Sequence, residues 1–345
     1  MKTELIVFGV IIIFIILMTL FFKIPENKED LGLPIIAKAP EIVGILNWIN
    51  SEPLKIEQLK GKVVLVDFWT YSCINCIRTL PYLKGWYEKY SDKNLVIIGV
   101  HTPEFEFEKD LNNVKAAVEK YGIKYPVALD SNRETWSAYK NNFWPRKYLI
   151  DKEGNIRFDH IGEGGYEETE NVIQELLNEI DSNFSINMTP VSSDTDFSKI
   201  GTPELYLGYR FARSPLGNLE GFSPEQIVEY KNKTPELANT IYLSGKWENK
   251  EDRMISSENS KLFLIYKARK VNIVAGGKGK ISILLDGKNL SKNFFGEDIK
   301  DENGSTSVFI DSQRLYNIVS GPNYDPHILE IDAESGFELY TFTFG

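Results

Sequence analysis

Residues 63–76 read VVLVDFWTYSCINC, and this stretch decides how the rest of the chain is interpreted. Its first seven residues are almost all apolar, and most are β-branched or aromatic, which is typical of a strand buried on both faces of a sheet. Cys73 and Cys76 follow, and apolar residues at helical spacing continue from there to Tyr90. The pattern predicts a strand, a short turn and a helix whose first turn carries two cysteines.

The place of Cys73 at a predicted helix start indicates that its sulfur is the nucleophile of the pair. Unpaired N–H groups and the helix dipole favour a thiolate at such a position. Two intervening residues let Cys76 face Cys73 across one turn, so Cys76 can resolve a mixed disulfide. The chain has only two cysteines, which excludes a disulfide scaffold and a four-cysteine zinc site. An inert structural disulfide and a pair of core cysteines stay open as alternatives.

Asp67 and Glu104 are the candidate acids of this site. Asp67 lies inside the apolar strand, where burial raises the pKa of a carboxyl, so it can accept a proton from Cys76. Glu104 follows the next predicted strand, and strand ends on one side of such a sheet gather near the cysteine pair. A purely orienting role for Asp67 and a solvated loop position for Glu104 are the alternatives.

Pro145 follows Trp144 directly before a predicted hairpin strand. We expect a cis peptide bond here, which would present a backbone edge to a passing peptide, with an ordinary trans proline as the alternative. His101 is interpreted as a packed or capping histidine rather than a catalyst.

Composition limits the partners of this protein. The 345 residues include 39 Lys and Arg against 49 Asp and Glu, a formal net charge of −10, and no basic run occurs. Such a chain is a poor match for phosphate backbones, so nucleic acid is excluded as a partner. Its three histidines are widely scattered, and we predict neither a metal site nor a cofactor.

The N-terminal residues 5–22 form an apolar run of 18 residues without a charge. As a helix at about 1.5 Å per residue, the run covers ~27 Å, close to the hydrocarbon thickness of a bilayer. We therefore predict a transmembrane anchor over residues 1–23 and a tether over residues 24–40. A cleaved secretion signal is the alternative.

Two further domains are predicted from the hydrophobic pattern. Strand-like and helix-like runs alternate through residues 41–182, which indicates an α/β domain with a mixed sheet. Residues 183–200 are rich in Ser, Asn, Thr and Asp and are interpreted as a linker. About eight short apolar runs separated by turn residues fill residues 201–345 and predict a β-sandwich. Within the α/β domain, residues 106–121 are predicted to form one helix.

These motifs together resemble the thioredoxin superfamily, in particular its membrane-tethered TlpA/ResA-like branch. More narrowly, the chain is similar to the soluble part of DipZ-type proteins from about residue 40 to residue 345. The segments that carry this likeness, besides residues 63–76, are GVHTPEFEFEK (99–109), FWPRKYLID (143–151), TPELYLGYRFAR (202–213) and ELYTFTFG (338–345).

The resemblance implies a role for each candidate residue. Cys73 and Cys76 fall at the active pair, Asp67 at the buried acid, Pro145 at the cis proline, and Glu104 near the ResA-type active-site glutamate. It also implies that the C-terminal half is a jelly-roll resembling carbohydrate-binding modules. DipZ-type proteins begin with a multi-span CcdA-like domain, whereas here a single apolar segment stands in its place. The resemblance therefore implies a separate CcdA-like membrane protein as electron donor.

The leading hypothesis is a single-pass membrane-anchored thiol–disulfide oxidoreductase whose domains face outside the cytoplasm. We expect it to reduce disulfides of exported proteins, as in cytochrome c maturation. An oxidase or isomerase with a glycan-binding C-terminal module is one alternative, since Trp247, Tyr324 and Tyr340 could stack on sugar rings.

A thiol peroxidase of the peroxiredoxin type is the other alternative. Thr70 stands three residues before Cys73, as in those enzymes, and Arg146 could serve as the partner cation. However, the proline that those enzymes need four residues before the threonine is Val66 here.

Overall fold

The computed structural model describes residues 32–182, 187–190, 195–231 and 234–345. The predicted membrane helix and residues 24–31 of the predicted tether lie outside the described residues. In the part of the chain that is described, no helix has the length and apolar character needed to cross a bilayer.

The first half is a mixed sheet with helices packed against it, which confirms the predicted α/β class. Seven strands pair in the order β1-β7-β6-β3-β4-β5-β2 among the described residues. The strands are β1 (Ala37–Lys38), β2 (Trp48–Ile49), β3 (Val63–Trp69), β4 (Leu95–His101), β5 (Val127–Leu129), β6 (Arg146–Ile150) and β7 (Asn155–Ile161). The helices are α1 (Ile74–Tyr90), α2 (Leu111–Lys120), α3 (Glu134–Ala138) and α4 (Tyr166–Asn178).

Strand β3 lies at the centre of this sheet, and all seven of its residues are buried. It pairs in parallel with β4 on one side and antiparallel with β6 on the other. A strand covered on both faces needs apolar residues at nearly every position, which explains the continuous run in the sequence. The carboxyl end of β3 leads directly into the turn before α1.

The single helix predicted over residues 106–121 is wrong. The segment forms a short 3₁₀ turn (Glu106–Lys109) and then α2, with Asp110 between them in an extended conformation. The Asp110 side chain accepts the N–H groups of Asn112 and Asn113, so it begins a new helix. The short helix α3 was not predicted.

The second half is an all-β region whose strands are joined through β10 into one continuous set. Its strands are β8 (Leu205–Tyr206), β9 (Ile227–Tyr230), β10 (Ile241–Asn249), β11 (Met254–Ser256), β12 (Ser260–Lys267), β13 (Lys270–Gly277), β14 (Gly279–Leu285), β15 (Lys288–Asn289), β16 (Lys300–Glu302), β17 (Ser305–Ile310), β18 (Arg314–Ser320), β19 (Pro326–Ala333) and β20 (Phe337–Phe344). Seven of the eight predicted runs lie within longer strands, and the eighth has the bounds of β20. The short strands β8, β9, β11, β15 and β16 were not predicted.

Strand β10 changes partners at Gly245. Residues 241–244 pair with β12, whereas residues 245–249 pair with β9 and β11. Gly245 has φ +82, a left-handed conformation that L side chains rarely adopt, and a Cβ there would lie 2.8 Å from Ser260 Oγ. The glycine therefore forms the corner at which one strand serves both groups of strands.

The all-β region packs directly against the α/β domain. One hydrophobic core lies wholly inside the all-β region, but another joins Tyr206, Leu315 and Tyr340 to the core around α1 and β3. The Tyr340 ring lies 5.1 Å from that of Phe105 and 4.9 Å from that of Phe107, both edge to face. The two halves are thus continuous through shared aromatic packing.

Two of the three aromatic residues suggested for glycan stacking do not fit that role. Trp247 is 0% exposed and Tyr340 is 1% exposed, because both fill hydrophobic cores. Tyr324 is half-buried, and its hydroxyl accepts the N–H of Asp196 at 2.7 Å. Trp247 and Tyr340 are therefore not available to stack on a sugar ring.

Candidate active site

Cys73 caps the N-terminus of helix α1. Its backbone is extended (φ −78, ψ 115), and its Sγ accepts the N–H of Cys76 at 3.4 Å. The carbonyl of Cys73 accepts the N–H of Ile77 at 3.0 Å, the first hydrogen bond of the helix. The Cys73 sulfur therefore occupies the place where unpaired helix N–H groups stabilise negative charge.

The two cysteines differ in their exposure. Cys73 is half-buried whereas Cys76 is buried, and both thiols are free. Burial raises the pKa of the Cys76 thiol, and its hydrogen bond with Cys73 raises that pKa further. Cys76 thus stays protonated behind Cys73, which is the sulfur that a substrate can reach.

Asp67 is buried in β3, next to this pair, as predicted. Burial raises the pKa of its carboxyl to about 7, and the positive charge of Lys147 acts in the opposite direction. Lys147 lies opposite Asp67 in the register of β3 and β6, and its Nζ donates to the carbonyl of Gly162 at 3.2 Å. The negative charge of Asp67 also raises the pKa of Cys76. Sequence reasoning missed Lys147, although a lysine inside a predicted strand was a signal for it.

Buried polar atoms without partners surround this carboxyl. Asp67 Oδ1, Trp69 Nε1 and the Tyr125 hydroxyl find no hydrogen-bond partner among the described residues. The charges of Asp67 and Cys76 add to the effect of burial in raising the pKa of Tyr125. Gly99 makes room for them, since a Cβ there would lie 3.0 Å from Trp69 Nε1 and from the Tyr125 ring.

Glu104 lies at the junction between the two halves of the molecule. Its Oε1 accepts the Tyr206 hydroxyl at 2.7 Å, so its side chain faces the all-β region. Burial raises the pKa of Glu104 to about 8, and the nearby carboxylates of Glu204 and Glu108 add to this rise. A second carboxyl is therefore present at this end of the sheet, and its contact with Tyr206 was not predicted.

Glu108 is a carboxyl that sequence reasoning missed. It is 0% exposed, and its Oε1 accepts the hydroxyl of Ser72, the residue before Cys73, at 2.5 Å. The segment GVHTPEFEFEK holds three glutamates at alternate positions, and Glu104 is the one nearest to the strand end. Nothing local to the sequence distinguishes which of the three faces the interior.

Pro145 follows a cis peptide bond, as predicted. Its carbonyl accepts the N–H of Gly162 at 2.8 Å, and the Trp144 indole N–H donates to the carbonyl of Thr102 at 3.0 Å. The role of this edge in binding a substrate peptide stays a prediction.

The remaining candidates of the sequence have structural partners. His101 is buried between the rings of Trp69 and Tyr71, and burial lowers its pKa to about 3, so it is neutral and packed. Thr70 Oγ1 lies 3.3 Å from His101 Nε2. Arg146, the cation considered for a peroxidase, is paired with Asp159 at 2.5 Å. Within the described residues no group of three metal-ligating side chains converges.

Comparison with known proteins now identifies the family. Residues 37–159 match the AhpC/TSA family, and residues 202–345 match the family described as thioredoxin like C-terminal domain. The thiol–disulfide oxidoreductase ResA of Bacillus cereus is 31% identical over 180 residues, which are 51% of this chain and 99% of ResA. The chain belongs to the ResA-like thiol–disulfide oxidoreductases. YkuV of Bacillus subtilis, also a thiol–disulfide oxidoreductase, is 29% identical over 41% of this chain and 94% of its own length.

A second relative covers both halves of this ResA-like oxidoreductase. The protein DipZ of Mycobacterium bovis is 35% identical over 314 residues, which are 89% of this chain. The same match covers 43% of DipZ, so the chain spans less than half the length of this relative. DipZ therefore matches both the thioredoxin-like domain and the all-β C-terminal region of this chain.

Proposed function

We propose that this oxidoreductase is anchored in the cell membrane, faces outside the cytoplasm and reduces disulfides of exported proteins through Cys73 and Cys76. The observation that carries this proposal is the asymmetry of the pair. Cys73 is partly exposed at the start of α1, while Cys76 is buried and donates its backbone N–H to the Cys73 sulfur.

The reaction begins with the thiolate of Cys73. It attacks one sulfur of a substrate disulfide, that bond breaks, and the other substrate sulfur leaves as a thiol after taking up a proton. Cys76 then gives its proton to Asp67 and attacks the Cys73 sulfur. The second substrate thiol leaves, and the enzyme keeps a Cys73–Cys76 disulfide. Two electrons have passed from the enzyme to the substrate.

The oxidised pair must be reduced again for turnover. We propose a CcdA-like membrane protein as the electron donor, because the apolar run of residues 5–22 would hold the cysteine pair at the membrane beside such a donor. The same run supports a single-pass anchor with residues from about 24 onward outside the cytoplasm.

The all-β region supplies one wall of a cleft beside the cysteine turn. The cleft has a volume of about 200 Å³ and lies between Ile74 and Ile77 of α1 and residues such as Lys270 and Asn317. Polar and apolar groups line both sides, which suits an extended polypeptide. We propose that this region helps present protein substrates to Cys73. Its fold as a jelly-roll of the carbohydrate-binding type stays a prediction, and glycan binding would need surfaces other than Trp247 and Tyr340.

Variants of the two cysteines test the proposal with insulin as the disulfide substrate. Cys73→Ser should abolish insulin reduction, and Cys76→Ser should accumulate a mixed disulfide that gel electrophoresis without reductant resolves. Normal reduction by Cys73→Ser would contradict the assignment, and peroxide consumption by the wild-type chain at comparable rates would favour the peroxidase.

The equilibrium of the pair with glutathione tests the direction of electron flow. A potential well below about −180 to −210 mV, the poise of an oxidising secretory compartment, supports a reductase. A potential above that range would indicate an oxidase or isomerase instead.

A further inference from the structure

The turn before Cys73 is bound to a distant buried carboxyl. Ser72 is 1% exposed and Glu108 is 0% exposed, so the 2.5 Å hydrogen bond between them lies inside the protein. The two residues are 36 positions apart in the chain. This bond connects the cysteine turn to the segment that follows β4.

Each oxygen of the Glu108 carboxyl serves a different segment. Oε2 accepts the N–H groups of Glu104 at 2.6 Å and Phe105 at 2.9 Å, as a glutamate that caps its own short helix does. Oε1 points away from that helix to the Ser72 hydroxyl. Capping alone would need only one of the two oxygens, so the second contact requires another explanation.

The partners of Glu108 favour its ionised form. Ser72, Glu104 and Phe105 all present donors, and an ionised carboxylate accepts hydrogen bonds without having a proton to place. Burial acts against this and raises the pKa of Glu108. None of the ion pairs found among the described residues includes Glu108. Hydrogen-bond donors rather than a cation thus offset its charge, and one of these donors is Ser72 in the cysteine turn.

We propose that Glu108 is a positioning residue for the nucleophilic cysteine. It holds Ser72, and with it the turn that places Cys73 at the start of α1, and its negative charge opposes ionisation of the Cys73 thiol. The inference rests on the proposed function, in which Cys73 attacks the substrate. Opposing ionisation stabilises the disulfide relative to the dithiol and makes the pair a stronger reductant.

The substitution Glu108→Gln removes the negative charge of the side chain but keeps its size and its hydrogen-bonding positions. The glutamine carbonyl can still accept from Glu104 and Phe105, and its amide can donate to the Ser72 hydroxyl. We expect the pH midpoint for alkylation of Cys73 by iodoacetamide, measured in a Cys76→Ser background, to move down by about one unit. With Cys76 present, the equilibrium with glutathione should shift about tenfold toward the dithiol, or about 30 mV.

Two further variants complete the test. Glu106→Gln is the matched control, because Glu106 lies on the same short helix with its side chain 79% exposed and paired with Lys109. It should leave the midpoint and the equilibrium unchanged. Ser72→Ala keeps the charge but removes the hydrogen bond, so it should slow insulin reduction about tenfold at an unchanged alkylation midpoint.

The outcomes are distinguishable. If Glu108→Gln folds and shows the wild-type midpoint and equilibrium, Glu108 only stabilises the fold and the inference is overturned. If Glu108→Gln does not fold, the rate of insulin reduction by Ser72→Ala tests the inference instead. A wild-type rate in that variant overturns the inference. If iodoacetamide does not modify Cys73 in the parent protein, the proposed function itself fails.

Discussion

Asp67 shows how a single buried carboxyl prepares the second step of disulfide exchange. Its raised pKa of about 7 means that the group is half protonated near neutral pH. It can therefore take a proton from Cys76 and release it again in the next cycle. Lys147, opposite Asp67, moderates the rise and keeps the pKa in this useful range.

The substitution Asp67→Asn should slow the resolution of a mixed disulfide by about 10²-fold, because the base that receives the Cys76 proton is lost. In the parent protein the resolution rate should rise with pH through about 7, as Asp67 ionises, and this rise should disappear in the variant. Stopped-flow release of the second thiol measures both effects.

Asp159→Asn is a suitable control, since that carboxylate pairs with Arg146 at the surface of β7. An unchanged pH profile in Asp67→Asn would assign proton transfer to another group.

At the level of elements, the local patterns could be predicted and the long-range pairings could not. Strand β3 and helix α1 were predicted because a continuous apolar run and the cysteine spacing are local features. Strand β8 was missed because its two residues form a strand only through pairing with β20, more than 130 positions away. The same reason applies to Lys147, which reaches Asp67 only through the pairing of β3 with β6.

The glycine at the corner of β10 is predicted to be needed for stability. Gly245→Ala should lower the free energy of unfolding by about 2 kcal/mol or more, since it adds a close contact with Ser260 to the left-handed backbone. Gly287→Ala is the matched control, because Gly287 has φ +74 but no atom within 4 Å of a new Cβ. It should lose only the conformational part, about 1 kcal/mol.

Urea unfolding of both glycine variants measures the difference. Equal losses in the two variants would mean that the contact with Ser260 relaxes without cost, and that β10 does not need a glycine at its corner.

At the scale of the whole molecule, buried carboxyls at the junction between the α/β domain and the all-β region make the stability of the folded chain depend on pH. The folded pKa of Glu104 is about 8, against an ordinary value of 4.5. Between these values the folded chain keeps a proton that the unfolded chain has released, so the contribution of Glu104 to stability is greatest at low pH and falls as pH rises to about 8. Glu204 and Glu108 shift in the same direction.

Glu104→Gln should therefore reduce this loss. The amide still accepts the Tyr206 hydroxyl but carries no charge, so the variant should be more stable than the parent by about 4 to 5 kcal/mol at pH 8.5 and similar to it below pH 4.5. Urea midpoints at several pH values test this. A variant that loses stability with pH as steeply as the parent would place the titration elsewhere.

The position of β20 has a consequence for how the protein matures. This strand pairs with β8, β11 and β13, and it carries the Tyr340 ring that covers Phe105 and Phe107. During synthesis the ribosome delivers the α/β half long before residues 337–344 emerge. Until then Phe107 has no aromatic contact from the described residues of the other half, and Phe105 has only Tyr206 and Phe211. This face is therefore a site where a chaperone can bind the nascent chain.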